Sequence, residues 1–260
     1  MEKLLDQKRP LVIGHRGYCG VAPENTLPSF KLALEAGADL VEMDYQHSKD
    51  GVPVVIHDGM LDRTTDARKK WKRRRIRVLQ TAATDIQTLD AGSWFDAKFA
   101  GAKVPLLSEA LDFIRSRGGV AVIERKSGDA ATLARLLREQ NLINRVVVIS
   151  FNWKFLRELH RLEPKVVLGA LGPPARLSNG RRPTHIRRGL APRLGDLTKT
   201  GARLAVWNAR VSKRAIQKAH RRGLRVWVYT INEARLAQKL TARGVSAIIT
   251  NRVGDIINAL

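Results

Sequence analysis

Eight short apolar runs, most of them separated by helical segments, constrain the fold of this chain more than any other feature. Alternating strands and helices indicate a parallel sheet, and eight such units indicate a closed (β/α)₈ barrel. We therefore predict an α/β protein with a TIM-barrel fold, and a doubly wound open sheet is the alternative. The runs begin near residues 11, 39, 120, 146, 166, 204, 226 and 247.

A ninth apolar run, residues 52–57, lies close behind the run that begins near residue 39. The connection is too short for a helical crossover, which needs about a dozen residues. We expect the two runs to form a hairpin that turns near Asp50-Gly51, outside the count of barrel strands. The 260 residues suit one barrel domain over 1–260 with an insertion at about 45–117.

Charged side chains gather at the carboxyl ends of the first three barrel strands, where TIM barrels place their active sites. Residues i and i+2 of a strand point to one face, so Glu42 and Asp44 project together, and so do Glu124 and Lys126. The hairpin would bring His57 to a position about opposite Asp44. The whole set is His15, Arg16, Glu42, Asp44, His57, Glu124 and Lys126.

The three carboxylates, Glu42, Asp44 and Glu124, predict a metal site. Oxygen ligands without several Cys or His residues favour Mg²⁺ or Ca²⁺ over Zn²⁺. Arg16 and Lys126 beside such an ion would form a pocket for a phosphate oxyanion.

The two histidines, His15 and His57, would supply an acid and a base, which suits attack at phosphorus with expulsion of an alcohol. We therefore predict metal-assisted cleavage of a phosphodiester. Either histidine could be the acid, and we favour His57. The alternative interpretation is a set of solvated strand ends with a hydrogen-bonded surface histidine.

The formal net charge of +23 is concentrated in two basic segments, residues 68–77 and 176–193, the second of which includes Arg187 and Arg188. Such charge attracts nucleic acid, anionic membranes or phosphorylated substrates. We predict polyanion contact through these segments, although solvated loops are the common explanation of such runs.

Compartment signals are few. The single cysteine, Cys19, cannot form an intrachain disulfide, and the sequence contains neither a signal-peptide pattern nor an apolar run of about 20 residues. We predict a cytoplasmic protein, and the sequence makes no prediction of the oligomeric state.

An ordered set of motifs resembles the glycerophosphodiester phosphodiesterase family from about Val12 to Asn251. The resemblance implies a TIM barrel that hydrolyses glycerophosphodiesters to glycerol 3-phosphate and an alcohol. The motifs are GHRG (14–17), PENT (23–26), VEMD (41–44), KDG (49–51), PVVIHD (53–58), LDRTT (61–65), LDAGSWF (89–95), VPLLSEAL (104–111), IERK (123–126), SF (150–151) and GVSAIIT (244–250).

The resemblance also assigns roles to the residues that match the family's motifs. It implies one divalent cation (Mg²⁺ or Ca²⁺, with Mn²⁺ as a further choice) at Glu42, Asp44 and Glu124. It implies His15 and His57 as the acid/base pair, and Arg16 and Lys126 as the residues that grip the phosphate.

Three positions depart from the family pattern: Arg125 replaces an apolar residue, Tyr229 replaces a tryptophan, and Asn251 replaces an aspartate. We expect Arg125 to point away from the site and Tyr229 to form a wall for the alcohol group. Two other functions are compatible with the basic charge: a barrel that binds nucleic acid or anionic lipid without turnover, and a lysophospholipase D-like enzyme at membranes.

Overall fold

The structure, a computed structural model, describes residues 2–5, 7, 9–183 and 189–260. Its strands are β1 (Leu11–Gly14), β2 (Leu40–His47), β3 (Pro53–Val55), β4 (Ala121–Arg125), β5 (Val146–Ser150), β6 (Val167–Gly172), β7 (Leu204–Asn208), β8 (Arg225–Tyr229) and β9 (Ala247–Thr250).

The α-helices of the described residues lie mostly between these strands. They are α1 (Glu2–Leu5), α2 (Leu27–Glu35), α3 (Ala67–Trp71), α4 (Ala83–Gln87), α5 (Leu107–Ser116), α6 (Ala130–Glu139), α7 (Trp153–Leu162), α8 (Leu194–Leu197), α9 (Lys213–His220), α10 (Ala234–Thr241) and α11 (Val253–Ala259). Short 3₁₀ turns occupy Val78–Gln80, Ala97–Phe99, Ala191–Arg193 and Thr198–Thr200.

The described strands form one sheet in the order β1-β9-β8-β7-β6-β5-β4-β2-β3, and β1 also pairs with β2. Eight strands thus form a closed parallel barrel, and β3 adds to β2 in the antiparallel sense. The predicted TIM barrel is confirmed, and the open sheet is excluded.

The chain divides into two compact units. The first, called here the site unit, comprises Gly14–Gly128 and Asn251–Gly254. The second, the C-terminal unit, comprises the described parts of Met1–Ile13, Asp129–Thr250 and Asp255–Leu260.

In the C-terminal unit, strands β5 to β9 run parallel, with registers such as Val147↔Val167 and Trp207↔Val228. Their runs are apolar and mostly buried, as expected of parallel strands covered on both faces. Helices α6 and α7 begin at side-chain caps: Asp129 accepts from Thr132 N, and Asn152 accepts from Phe155 N. Of the second basic segment, Arg187 and Arg188 lie outside the described residues.

In the site unit, β2 pairs with β4 in parallel and with β3 in antiparallel register, which places Tyr45 opposite Val55. The predicted hairpin is confirmed. Gly51 has φ +76° in its turn, and Ser48 N donates to Val52 O at 3.0 Å. β2 therefore lies between β4, which carries Glu124, and β3, which leads to His57.

The segment that follows the hairpin has a hydrophobic core of its own. Buried side chains from α4 and from the loops around it pack with Val54 and Ile56 of the hairpin. The cluster consists of Val54, Ile56, Leu61, Ala67, Ile76, Val78, Ala83, Ile86, Leu89, Ala91 and Val104. The segment that follows the hairpin is thus folded into a compact layer against the hairpin. Across the described residues, every helix is too short or too polar to cross a membrane.

Candidate active site

Three buried carboxylates meet between β2, which carries two of them, and the end of β4, which carries the third. The parallel register places Asp44 opposite Glu124, and Glu42 precedes Asp44 by two residues on the same face. One oxygen from each of the three lies within 4.8 Å of the others. All three side chains are buried, with exposures of 1%, 0% and 7% for Glu42, Asp44 and Glu124.

This arrangement fits a hard divalent cation. Glu42 Oε2 accepts from Arg16 N at 2.7 Å, but Glu42 Oε1 is buried without a hydrogen-bond partner among the described residues. Burial, with Asp44 and Glu124 nearby, raises the pKa of Glu42 well above its usual value. Burial and Asp44 also raise the pKa of Glu124 to about 7. Such a set needs an added positive charge to ionise fully, and oxygen-only donors suit Mg²⁺ or Ca²⁺.

Two cations, Arg16 and Lys126, flank the carboxylates. Arg16 Nε lies 3.1 Å from Asp44 Oδ2, and Lys126 Nζ lies 3.1 Å from Asp44 Oδ1. Lys126 also donates to Glu124 Oε1. Although burial acts to raise the pKa of Asp44, Lys126 and Arg16 hold it below its usual value. Asp44 is therefore the carboxylate of the three that stays ionised.

His15 is held in one tautomer. Its Nδ1 lies 2.6 Å from Asn251 Oδ1, and because an amide oxygen only accepts, Nδ1 donates and Nε2 carries the lone pair. Burial and the neighbouring Arg16 lower the pKa of His15 to about 4. His15 is thus a neutral imidazole at pH 7, which suits a proton acceptor.

His57 lies in a different environment, with a side chain that is 31% exposed. Its Nδ1 is 2.7 Å from Asp58 Oδ1. Hydrogen bonds from Arg63 and His57 lower the pKa of Asp58 to about 2. An ionised Asp58 orients the ring, since it can only accept from Nδ1.

A chain of ion pairs connects His57 to Arg16. Arg63 donates from Nε to Asp58 Oδ2 at 2.6 Å and from Nη1 to Glu24 Oε2 at 2.9 Å. Glu24 Oε1 in turn accepts from Arg16 Nη1 at 2.8 Å. Sequence reasoning gave Glu24 and Arg63 no role, although both lie in quoted motifs, PENT and LDRTT.

Backbone conformation in the GHRG and PENT segments also shapes the site. Arg16 has φ +52° and Asn25 has φ +58°, values that non-glycine residues seldom adopt. Asn25 Nδ2 donates to Asp44 Oδ2 at 2.9 Å, and Asp44 N donates to Asn25 Oδ1 at 3.1 Å. At Gly17, with φ +82°, a Cβ would lie 2.3 Å from Ser29 Oγ, so glycine is required there. Asn25, missed from sequence, thus fixes Asp44 on both its backbone and its side chain.

Arg125 and Tyr229, the other two residues with an expected position or role, donate to backbone carbonyl groups. The Arg125 guanidinium donates to Gly128 O, at 2.9 Å from Nε and 2.6 Å from Nη2, and so is used in the loop after β4. In the C-terminal unit, the Tyr229 hydroxyl donates to Gly172 O at 2.8 Å, and its ring meets Phe151 edge-on at 6.0 Å. The role of Tyr229 as a wall for the alcohol stays a prediction.

The C-terminal unit also has a cavity of about 760 Å³ near the start of β8, lined in part by Arg9, His220 and Arg225. No Asp or Glu side chain lines it within the described ranges. It therefore lacks the acidic ligands that the site unit offers.

Comparison with known proteins identifies the group to which this chain is similar. The family model described as the glycerophosphoryl diester phosphodiesterase family matches residues 15–255. A glycerophosphodiester phosphodiesterase from Caldanaerobacter subterraneus subsp. tengcongensis is 30% identical over 256 residues, which cover 96% of this chain and 97% of that protein.

Solved structures agree. The glycerophosphodiester phosphodiesterase from Agrobacterium tumefaciens superposes with a TM-score of 0.78 at 28% identity, covering 96% of this chain and 99% of that one. An Oleispira antarctica phosphodiesterase, in complex with the product sn-glycerol-3-phosphate, gives a TM-score of 0.80 at 29% identity over 96% of each chain. The chain belongs to the glycerophosphoryl diester phosphodiesterase family.

Proposed function

We propose that this protein is a metal-dependent phosphodiesterase that hydrolyses glycerophosphodiesters to glycerol 3-phosphate and an alcohol. The observation that carries the proposal is the buried trio of Glu42, Asp44 and Glu124, one of whose oxygens has no partner in the described structure. Family membership supports the activity, and the glycerol 3-phosphate bound to the Oleispira antarctica relative supports the product.

The carboxylates would hold one divalent cation, Mg²⁺ or Ca²⁺, with Mn²⁺ as a further choice. When bound, such an ion supplies Lewis-acid stabilisation of the charge on a phosphate oxygen. Arg16 and Lys126 lie against the same carboxylates. They would orient the phosphodiester by hydrogen bonds to its other oxygens.

The two histidines divide the proton transfers. His15 is neutral and its Nε2 is unprotonated, so it would accept the proton of the nucleophile. That nucleophile is water or the 2-hydroxyl of the substrate's glycerol. His57, oriented by Asp58, would donate a proton to the oxygen of the departing alcohol as its bond to phosphorus breaks. Attack by the 2-hydroxyl would yield a cyclic phosphate, which ³¹P NMR of the reaction mixture would reveal.

An assay with glycerophosphocholine tests the reaction. The purified protein, freed of metal with EDTA and then given Mg²⁺, Ca²⁺ or Mn²⁺, should release glycerol 3-phosphate and choline. Activity should disappear in EDTA and return with at least one of the ions. Absence of turnover of every glycerophosphodiester tried with all three ions would refute the proposed function, and release of phosphocholine would place the cleavage at the other ester bond.

A barrel that only binds polyanions has no physical need for these three buried carboxylates, because like charges in a buried site destabilise the fold when no cation joins them. This favours the enzyme. A lysophospholipase D-like activity would use the same site on a diester that carries a lipid chain, so a lysophospholipid belongs among the substrates tested.

Three other points stay predictions. They are polyanion contacts through 68–77 and 176–193, the single-domain interpretation with its insertion at about 45–117, and a cytoplasmic location.

A further inference from the structure

A basic cavity of about 590 Å³ lies in the segment that follows the hairpin, around α3 and the turn after it. Two acidic side chains, Asp62 and Asp66, also line it, and Trp94 forms part of its wall. The cationic side chains that line it are Arg63, Arg68, Lys69, Lys72, Arg73 and Arg74. The lining therefore carries a clear excess of positive charge.

The two acids are occupied by backbone groups. Asp62 accepts from Arg75 N and Ile76 N, both at 2.8 Å, and Asp66 Oδ1 accepts from Asp90 N at 2.9 Å. They fix the turn, and no ion pair links them to the lining cations among the described residues. Apart from Arg63, the cations are exposed and free of carboxylate partners in the described chain: Arg68, Lys69, Lys72, Arg73 and Arg74.

The cavity adjoins the proposed acid through one residue. Arg63 lines the cavity and also binds Asp58, which orients His57. Arg63 also binds Glu24, the partner of Arg16, so one chain of ion pairs runs from the proposed phosphate contact to the cavity. Trp94 Nε1 donates to Ala91 O at 2.8 Å, which fixes its half-exposed ring as a flat wall.

We propose that this basic cavity is a subsite for a second phosphate on the departing alcohol. The preferred substrates would then be glycerophosphodiesters whose alcohol carries a phosphate monoester. Arginine and lysine bind a phosphate dianion through charge-assisted hydrogen bonds, whereas a cationic alcohol such as choline would be repelled. The inference rests on the proposed function, because it assumes that the alcohol departs beside His57.

Two substrates that differ only in the second phosphate test the subsite: glycerophosphoinositol and glycerophosphoinositol 4-phosphate. We expect kcat/KM to be about tenfold higher for the phosphorylated diester at low salt, the effect of one charge-assisted contact. In the variant R68Q/K69Q/R73Q/R74Q this ratio should fall to near one, with the rate on glycerophosphoinositol unchanged. The variant R68K/R73K/R74K, which keeps the charge, should retain most of the ratio.

The matched control is K213Q/R214Q/R221Q/R222Q, which removes one lysine and three arginines from exposed positions in and after α9 of the C-terminal unit. It should keep the wild-type ratio. An equal ratio in wild type, control and cavity variant would overturn the subsite, while turnover of both diesters would leave the proposed function intact.

Two binding measurements separate the other outcomes. Calorimetric titration with inositol 4-phosphate applies if neither diester is cleaved. Binding that is lost in the cavity variant, but not in the control, would then support the subsite, while the absence of cleavage would reject the reaction. Sedimentation with phosphatidylserine vesicles tests the lipid source. Vesicle binding that the cavity variant alone loses, with no change in the kcat/KM ratio, would make the cluster a membrane contact and overturn the inference.

Discussion

Glu124→Gln should change the stability of the metal-free protein in a direction that depends on pH. Glu124 is buried beside Asp44, and its pKa is raised to about 7 from the model-peptide value of 4.5. The folded protein therefore binds a proton that the unfolded chain releases near pH 4.5. As pH rises from 4.5 through 7, ionisation of Glu124 favours the unfolded state, so the wild type loses stability over that range.

The size of the effect follows from the shift. Each pKa unit corresponds to about 1.4 kcal/mol, so the wild type loses about 3 kcal/mol by pH 8 on account of Glu124. Glutamine carries no titrating proton and escapes this loss. Its amide is a weaker hydrogen-bond donor than the protonated carboxyl group and a weaker acceptor than the carboxylate, which costs the variant about 1 kcal/mol at every pH. The variant should therefore be slightly less stable than wild type at pH 5 and about 2 kcal/mol more stable at pH 8.

Thermal unfolding in EDTA at pH 5, 6.5 and 8 measures this crossover. With roughly 2–4 °C in Tm for each kcal/mol in a chain of this size, the variant should unfold roughly 4–8 °C above wild type at pH 8. Glu139→Gln, which removes an exposed carboxylate from α6, is the control and should follow the wild type at all three values. A Tm difference between Glu124→Gln and wild type that does not change with pH would refute the reasoning.

Added metal supplies a second test of the same residue. An ion at 100 times its Kd stabilises the folded wild type by about 2.7 kcal/mol. Glu124→Gln, short of one ligand, should gain far less at the same Mg²⁺ or Ca²⁺ concentration and should lose most of its activity. A variant that gained as much Tm as wild type would show that Glu124 is not a ligand.

Other predictions concern the histidines and their partners. His15→Ala and His57→Ala should each lower kcat about 10²- to 10⁴-fold toward glycerophosphocholine, the usual contribution of general acid–base catalysis; full activity of either variant would remove that histidine from the mechanism. Asn251→Asp should raise the pKa of His15, since a carboxylate stabilises the imidazolium, and should move the acid limb of the kcat/KM profile to higher pH; an unmoved limb would count against His15 as the base. Arg63→Gln leaves Asp58 without its arginine partner and should lower kcat about tenfold. Arg63→Lys, which keeps the positive charge, should show a smaller loss. Steady-state kinetics with glycerophosphoinositol would measure both.

The barrel and the carboxylate trio could be predicted from the sequence because both depend on short-range patterns. Apolar runs alternating with amphipathic segments define strands and helices, and i, i+2 spacing decides which side chains share a face. The strand predicted from residue 120 is observed as Ala121–Arg125. The spacing of the 52–57 run left a hairpin as the only local connection, and the structure has one.

The partners that orient the histidines could not be predicted in this way. Asn251 is 236 positions from His15, and Arg63 reaches Glu24 across 39 positions. These contacts depend on loop conformations, including the positive φ of Arg16 and Asn25, which the sequence pattern does not specify. Motif position was the available signal, since Glu24, Asn25 and Arg63 all stand in the quoted motifs.

The charges of the site favour joint binding of a cation and a phosphodiester. The three carboxylates exceed Arg16 and Lys126 by one charge when all are ionised, and both cations are engaged with Asp44. A phosphodiester anion by itself would add to this excess and compete with Asp44 for the same two cations. A divalent cation would change the net charge of the site from −1 to +1. The carboxylates would then pair with that cation, and Arg16 and Lys126 could turn toward the phosphate. Substrate affinity and metal affinity should therefore rise together, and each should be measurable as an effect of the other.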